Sequence, residues 1–246
     1  MSGGDPLRIS LGTTALPPPF TNRLIESLPP REKTHLLALV QAVPLPLRTP
    51  LYEIGETPRY VHFMTSGLAS LVTTLRDGED IQIGIVGRDG FPEALHILGP
   101  QTGQTRCFMQ VEGTALRMDF KRFQEEFQRN EDLRGLVLRY VQYQSLVTAQ
   151  LVACNRLHEV EERLARWLLM VSDRLESPTM QLTQEFLADM IGARRSTVTL
   201  AAGSLQRSGV IGYRRGKINI VDRESLADAA CECFPVIQRL FKNLYR

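Results

Sequence analysis

A long stretch without proline constrains the fold of this chain more than any other feature. Residues 120–175 contain no proline and a single glycine, Gly135. Apolar side chains recur there every three or four residues, a period typical of an amphipathic α-helix. The members of this stripe are Leu136, Tyr140, Tyr143, Val147, Cys154 and Leu157. Their spacing is near 3.5 residues, as in the seam of a coiled coil.

We expect this helix to mediate dimerisation, because a single long helix beside a β domain finds little of its own chain to pack against. The predicted dimer interface consists of Leu136, Tyr140, Tyr143, Val147 and Cys154. An alternative stays open: Gln144 and Gln150 interrupt the stripe, so the N-terminal half of the helix would pack on the chain's own β domain.

The residues before this helix, from about 47 to 118, carry the pattern of short β-strands. Leu71, Thr73 and Leu75 alternate with Val72 and Thr74, an Asp77-Gly78 pair supplies a hairpin turn, and period-2 spacing resumes at Ile81 and Ile83. Short strands with turn signals at near-regular spacing predict a β-sandwich or jelly roll. A short helix beginning after Pro29 precedes them, since proline suits a first helical turn.

The first 20 residues are rich in glycine, proline and threonine and lack the apolar core of a signal peptide. We therefore expect them to form a flexible lead-in to a cytoplasmic protein. No apolar run approaches the roughly 18 residues that cross a bilayer, which predicts that no membrane is a partner.

The segment from Leu182 carries a helix-turn-helix pattern. Thr183 is placed to cap a first helix, and Ala188 is a small residue where two helices approach closely. Gly192 follows where a tight turn needs a positive φ, and Val198 would anchor the second helix. A small residue, a turn glycine and an aliphatic anchor at these offsets are typical of this motif.

Two neighbouring features indicate that the motif binds duplex DNA. The second helix opens on Arg194, Arg195 and Ser196, at the end of a recognition helix that meets base edges. Residues 210–221 then read as two strands around a basic turn, which is a wing. Between 183 and 223 seven basic residues stand against three acidic ones, a net charge of +4, whereas the whole chain carries +2.

The predicted DNA contacts divide by chemistry. Arg195 is expected to bind a guanine in bidentate fashion, with smaller polar contacts from Ser196 and Thr199. The wing cations are expected to hold phosphates without reading sequence. The full predicted set is Thr183, Arg194, Arg195, Ser196, Thr199, Arg214, Arg215 and Lys217.

The chain from about 24 to 226 resembles regulators of the Crp/Fnr family. The resemblance is carried by residues 61–68, the Asp77-Gly78 hairpin, residues 162–168 and the helix-turn-helix with its wing. It implies an α+β fold with an N-terminal cyclic-nucleotide-binding-type β jelly roll, a long central dimerisation helix and a C-terminal winged helix-turn-helix. It also implies a homodimeric transcription regulator that contacts RNA polymerase and answers to a small-molecule effector.

The predicted organisation follows from this resemblance. Residues 1–20 are the tail, 21–129 the β-roll sensor, 130–176 the central dimerisation helix and hinge, and 177–246 the DNA-binding domain. No serine–histidine–aspartate set or phosphate-binding glycine loop appears, so we expect no catalytic site.

The predicted effector pocket departs from the family pattern. In members that bind cAMP, a Gly-Glu pair and an Arg-Ser or Arg-Thr pair hold the ribose and the phosphate. Here Phe91 and Pro92 separate the glycine from Glu93, and Arg106 is followed by Cys107. With Thr148, which falls where the family contacts the base, Glu93 and Arg106 form the predicted pocket. We expect cAMP not to be the effector, because proline removes an amide donor.

The recognition helix departs as well. The family members that read the cAMP-type operator carry Arg-Glu and a further Arg, whereas this chain has Arg195-Ser196 and Leu200. The glutamate that accepts from cytosine is absent, so we expect a different operator.

Other sensing chemistries were weighed against the cysteines and histidines. We expect no iron–sulfur cluster, since the first cysteine is Cys107 and the family's cluster lies near the N-terminus. A haem on His62 or His96 and a redox switch at Cys154 are alternatives. Cys231 and Cys233 are too close together, without further ligands, to predict zinc, so no metal site and four unpaired thiols are expected.

Two other classes of protein were considered. A cupin-like metal-dependent enzyme needs several histidines converging on one metal, but the four histidines are scattered: His35, His62, His96 and His158. A nucleotide-binding subunit that regulates a protein partner would have no use for a basic wing. The sequence leaves open the effector, the operator, and activation versus repression.

Overall fold

The structure of the protein is a computed structural model that describes residues 21–75, 78, 80–99 and 103–245. Two antiparallel sheets form the N-terminal half of the protein. Their order is β1-β7-β3 and β2-β6-β4-β5. The strands are β1 (Gln41–Leu45), β2 (Pro50–Tyr52), β3 (Tyr60–Met64), β4 (Leu68–Thr74), β5 (Asp80–Val86), β6 (Thr105–Val111) and β7 (Gly113–Asp119). The predicted tail, residues 1–20, and Asp77 of the predicted turn lie outside the described residues.

The tightest turn of this β-roll depends on Gly67. Its φ is +75°, and a Cβ there would lie 2.6 Å from the carbonyl oxygen of Glu112. Only glycine fits both constraints, which lets β3 turn directly into β4. The β4–β5 pairing opposes Thr74 to Asp80, as expected for the predicted hairpin.

The predicted long helix is wrong as a single element, because it consists of three helices. They are α3 (Phe120–Arg129), α4 (Glu131–Leu157) and α5 (Val160–Leu175), preceded in the chain by α1 (Arg23–Glu26) and α2 (Pro30–Leu37). Asn130 has extended φ/ψ, and its side chain caps α4 by accepting from the Leu133 amide. A reciprocal capping box between Glu159 and Glu162 begins α5. These caps end one helix and start the next without proline.

The C-terminal part is a winged helix-turn-helix followed by two helices. Its elements are β8 (Thr179–Gln181), α6 (Gln184–Ile191), α7 (Arg195–Arg207), β9 (Ile211–Arg214), β10 (Lys217–Ile220), α8 (Arg223–Asp228) and α9 (Cys233–Leu244). The strands form one antiparallel sheet, β8-β10-β9. The predicted fold class, a β-roll, a long helix and a winged helix-turn-helix, is confirmed.

The inner face of α4 packs on its own chain. Tyr140 stacks on Phe91 with ring centroids 5.5 Å apart, and Tyr143 lies 6.0 Å from the ring of Phe241 on α9. All five residues predicted for the dimer interface are buried within one chain: Leu136, Tyr140, Tyr143, Val147 and Cys154. The alternative of a helix packed on its own domain describes this face, because the β-roll and α9 cover it.

The helix-turn-helix is held against the β-roll by a buried polar cluster. The Trp167 indole on α5 donates to Gln82 Oε1 at 2.6 Å, and Gln82 Nε2 donates to Ser70 Oγ at 2.7 Å. The Met190 sulfur of α6 lies 3.1 Å from Gln82 Nε2. A residue of β5 therefore contacts both the central helices and the DNA-reading half. Of the helices within the described ranges, none combines the length and apolar character that spanning a bilayer requires.

Candidate nucleic-acid interface and effector pocket

The helix-turn-helix forms as its residues predict. Thr183 accepts from the Phe186 amide at 3.2 Å and so caps α6. Gly192 ends that helix with a φ of +64°, the left-handed conformation that a glycine adopts without strain. Val198 of α7 is fully buried against the α6 core, with Leu187 equally buried. The turn geometry and the anchor together fix how α7 projects from the domain.

The N-terminal end of α7 faces solvent. Arg194, Arg195 and Ser196 are exposed, and so is Leu200 one turn further on, with 71% of its surface accessible. The Thr199 hydroxyl donates to the carbonyl oxygen of Arg195 at 2.8 Å, so this proton already has a local acceptor. The exposed end of α7 therefore offers two guanidinium groups, the hydroxyls of Ser196 and Thr197, and one apolar side chain.

The wing places three further cations on the surface. Arg215 and Gly216 join β9 to β10 with φ values of +52° and +74°, the geometry of a tight type I′ hairpin. Arg214, Arg215 and Lys217 are exposed. Burial raises the pKa of Tyr213 on β9 and the Arg195 cation lowers it, so Arg195 acts electrostatically on the wing.

These cations are available to a ligand. Within the described part of the chain, no salt bridge engages the arginines at the start of α7 or the cations of the wing. The carbonyl of Gly216 accepts from Leu182 at 2.7 Å and Tyr213 Oη donates to the carbonyl of Leu182 at 3.1 Å, which fixes the wing to the domain. Unpaired cations on a fixed frame suit a polyanion.

The structure does not bring together the three residues predicted for the effector pocket. Glu93 is fully buried, and its carboxylate accepts from the His62 amide at 3.1 Å and pairs with His62 Nδ1 at 2.7 Å. Arg106 of β6 forms an ion pair with Asp80 of β5. Burial raises the pKa of the Asp80 carboxyl, but hydrogen bonds from Arg106 and Thr74 outweigh it and lower that pKa. Both charges already have partners.

Thr148 instead lines a separate cavity of about 430 Å³ beside α4. Aromatic walls come from Tyr140, Tyr143 and Trp167, and neither Glu93 nor Arg106 contributes. The buried Oε1 of Gln144, in the same lining, has no hydrogen-bond partner. Such a mostly apolar cavity with a few polar groups has the chemistry of a small-molecule site. Sequence reasoning missed Trp167 and Gln144, since nothing local marks them as neighbours of Thr148.

Cys154 is surrounded by the other end of the chain. Its sulfur lies 3.4 Å from that of Cys231, and the residue has no accessible surface. A disulfide to a symmetry-related Cys154, as the redox hypothesis requires, has no path to this buried thiol. The hydrogen bond from Cys231 and the Arg166 cation lower the pKa of the Cys154 thiol. All four cysteines are free and buried.

The histidines are dispersed, against the cupin-like alternative. His35 pairs with Glu126 and His62 with Glu93, whereas His96 stacks edge-on against Tyr52. Within the described ranges, the one group of potential metal ligands contains His158 alone of the four. No two histidines therefore share a site of the kind that a mononuclear oxygenase needs.

Comparison with known proteins agrees with this architecture. Residues 43–130 match the family model of the cyclic nucleotide-binding domain, and residues 162–229 match that of the Crp-like helix-turn-helix domain. A CRP-like cAMP-activated global transcriptional regulator of Mycobacterium tuberculosis is 24% identical over 84% of this chain and 96% of its own. A global nitrogen regulator of Nostoc is 22% identical over 68% and 78%.

Two solved structures share the fold. FixK2 from Bradyrhizobium japonicum superposes with a TM-score of 0.68 at 14% identity, over 78% of this chain and 98% of that one. The c-di-GMP responsive global regulator CLP of Xanthomonas campestris gives 0.63 at 18% identity, over 76% and 96%.

The β-roll, the long helix and the winged motif define a domain of the cyclic-nucleotide-binding type joined to a DNA-binding domain. The chain belongs to the Crp/Fnr family and is a DNA-binding transcription regulator. The Mycobacterium tuberculosis relative is likewise named as a transcriptional regulator.

Proposed function

We propose that the protein acts in the cytoplasm as a homodimer on a two-fold symmetric operator, inserting the start of α7 into the major groove. The observation that carries this proposal is the exposed, unpaired Arg194-Arg195-Ser196 end of α7 beside a basic wing. Two copies related by a dyad would read half-sites one helical turn, ~34 Å, apart. RNA polymerase is the further partner that the family implies.

Arg195 is the proposed base reader, since a guanidinium matches guanine O6 and N7 in bidentate fashion. The exposed Leu200 adds an apolar contact suited to a thymine methyl group. Phosphates are held by the wing cations Arg214, Arg215 and Lys217. Smaller polar contacts come from the hydroxyl groups of Thr183, Ser196 and Thr199. This division gives a preference unlike that of a helix carrying a glutamate at position 196.

Two substitutions separate base reading from phosphate binding. Arg195→Ala should cost about 1–3 kcal/mol of discrimination, about 5- to 150-fold, at one base pair only. Lys217→Ala should weaken all sequences alike and reduce the slope of log affinity against log salt by about one. The operator is first obtained by in-vitro selection, with and without cyclic nucleotides, and single-base variants are then titrated at two salt concentrations.

The matched control is Lys121→Ala, an exposed lysine at the start of α3 on the β-roll, which should change neither quantity. Uniform loss of affinity in the Arg195 variant would remove that residue as the base reader. Unchanged binding in both test variants would contradict the proposed surface itself.

The proposed dimer uses the outer face of α4, because the inner face is covered by its own chain. Exposed residues recur there at alternating intervals of four and three, the spacing of a coiled-coil seam: Leu138, Gln142, Ser145, Ala149 and Val152. Val152 is 68% exposed and Leu138 45% exposed. We call this set the outer stripe.

Val152→Glu should dissociate the dimer. A charge buried without a partner in an interface costs about 2 kcal/mol or more, so the dissociation constant should rise at least about 30-fold. Light scattering over a range of protein concentrations measures it. Leu47→Glu places the same charge on an exposed leucine outside α4 and should leave the dimer intact. A Val152 variant that dimerises like the unchanged protein would place the partner elsewhere.

The proposed effector site is the cavity beside Thr148. Relatives named for cAMP and c-di-GMP suggest a nucleotide-type ligand, and the matched domain is of the cyclic-nucleotide-binding type. The engagement of Glu93 by His62 and of Arg106 by Asp80 supports a ligand other than cAMP. The selections with and without nucleotides test this, because an effector should change the affinity for the recovered operator.

A further inference from the structure

Three cysteines and one histidine meet where the end of α4 lies beside the start of α9. Cys154 lies in the last turn of α4 and His158 directly follows that helix, whereas Cys233 begins α9 and Cys231 lies two residues before it. Their three sulfurs and one ring nitrogen all lie within 4.8 Å of one another. The three cysteines are buried together as a separate small cluster.

Two distances within this cluster lie close to the edges of a tetrahedron around one zinc ion. With Zn–S of about 2.3 Å and Zn–N of about 2.05 Å, tetrahedral geometry puts two sulfurs about 3.8 Å apart and a sulfur and a nitrogen about 3.6 Å apart. Cys154 Sγ and Cys231 Sγ are 3.4 Å apart, and Cys233 Sγ lies 3.6 Å from His158 Nδ1. An S–S bond is about 2.05 Å, so Cys154 and Cys231 are not a disulfide.

Two side chains next to the cluster, Glu232 and Gln150, make the hydrogen bonds that usually support metal ligands. His158 Nε2 lies 2.9 Å from Glu232 Oε2, and a proton on Nε2 leaves the lone pair of Nδ1 facing the sulfurs. A carboxylate behind a histidine is the usual support of a zinc-bound imidazole. Gln150 Nε2 donates to Cys233 Sγ at 3.1 Å, a contact suited to a thiolate.

Two buried arginines on α5 lie beside the cluster and carry charge opposite to that of a zinc–thiolate group. A zinc ion with three thiolates and a neutral histidine carries one net negative charge. The guanidinium groups of Arg163 and Arg166 on α5 are buried and interact electrostatically with Cys154. The Nε atoms of both arginines lack a hydrogen-bond partner. Buried cations beside a neutral group of thiols would be poorly compensated, whereas the negative charge of a metal–thiolate group offsets one of the two.

We propose that Cys154, His158, Cys231 and Cys233 bind one zinc ion in a closed, structural Cys3His site. Four protein ligands leave no open position for catalysis. The ligand atoms converge on a single point, whereas the ligands of an iron–sulfur cluster bind different irons and must spread around it. The expectation of no metal site considered Cys231 and Cys233 alone, and the fold supplies the two missing ligands.

The site joins three parts of the protein. It ties the start of α9 to the end of α4, and Arg163 beside it donates to the carbonyl oxygen of Ile191, the last residue of α6. Ile191 directly precedes the turn glycine of the helix-turn-helix. Loss of the ion would therefore loosen the C-terminal helix and one support of the DNA-reading turn.

Metal analysis of the full-length protein tests the site. Protein purified in reducing, chelator-free buffer should contain about one zinc ion per chain, as measured by inductively coupled plasma mass spectrometry. After removal of the metal, added Co²⁺ should give intense visible bands and thiolate-to-cobalt charge transfer typical of tetrahedral coordination. Cys231→Ser and Cys233→Ser should lower zinc to about a tenth or less of the unchanged protein, because a closed site needs all four ligands.

Three variants separate a metal site from a structural need for these side chains. Cys107→Ser alters the one buried cysteine outside the cluster and should keep the zinc. His158→Cys should keep it through a fourth thiolate, whereas His158→Ala should lose it. A protein that neither carries zinc nor binds Co²⁺ through thiolates would overturn the proposal. So would a Cys154–Cys231 disulfide, or bound iron and sulfide, in the purified protein.

Discussion

Asp89→Ala should lower the free energy of unfolding by about 3–5 kcal/mol, because it leaves a buried guanidinium without its counter-charge. Arg174 Nε lies 3.3 Å from Asp89 Oδ2, with only 9% and 4% of the two side chains exposed. Burial disfavours the charged form of Arg174, but the Asp89 carboxylate, acting together with Tyr143, Tyr140 and Asp173, more than offsets burial and raises the pKa of Arg174. The same carboxylate accepts from the Gly87 amide at 2.8 Å, a bond that the variant also loses.

Urea denaturation followed by circular dichroism measures this loss. The control is Asp173→Ala, which breaks the ion pair between Asp173 and Arg223, 2.5 Å apart with 39% and 46% of the side chains exposed. Solvent screens that pair, so its removal should cost less than about 1 kcal/mol. Equal losses in the two variants would show that the Asp89–Arg174 pair is as weak as a surface pair.

Phe91→Ala should destabilise the protein by a similar amount, about 3–5 kcal/mol, because a fully buried ring is replaced by a cavity. The Phe91 ring lies 5.3 Å from those of Phe63 and Phe123 and 5.5 Å from that of Tyr140. It is one of the contacts through which the β-roll holds α4. For a chain of this size the melting temperature should fall by about 6–20 °C.

Phe91→Leu is the graded control, since leucine fills most of the volume and loses mainly the ring contacts. Its destabilisation should be well below that of the alanine variant, because the residual cavity is smaller. Thermal melts of the three proteins give the comparison. Identical melting temperatures for the leucine and alanine variants would mean that the site collapses around either residue, contrary to the rigid aromatic contact described above.

The helix-turn-helix was predictable because its signals are local. The cap at Thr183, the turn at Gly192 and the anchor at Val198 lie within 16 residues, and each acts on its immediate neighbours. The turn of the wing was equally predictable, because Gly216 marks it in the sequence. The exposed start of α7 follows from the same spacing, so the position of the predicted DNA-reading surface needed no tertiary information.

The covered face of α4 was not predictable, because a 3.5-residue period shows that a helix face is buried but not what buries it. Tyr143 contacts Phe241, which is about 100 residues further along the chain, and Cys154 contacts Cys231, which is 77 residues further. The partners of Glu93 and Arg106 were not predictable for the same reason, because His62 and Asp80 come beside them only when the β-roll folds. The cysteine–histidine cluster likewise exists only once α9 returns to α4.

The cavity beside Thr148 opens toward the outer stripe. Ser145, Ala149 and Val152 belong both to the lining of the cavity and to the exposed face of α4. In the proposed dimer the second copy would complete one wall of each cavity, so assembly would strengthen ligand binding. By thermodynamic reciprocity the ligand would then strengthen assembly by the same factor. The cellular abundance of the protein would thus set its sensitivity to the signal, with scarce protein answering only to high ligand levels.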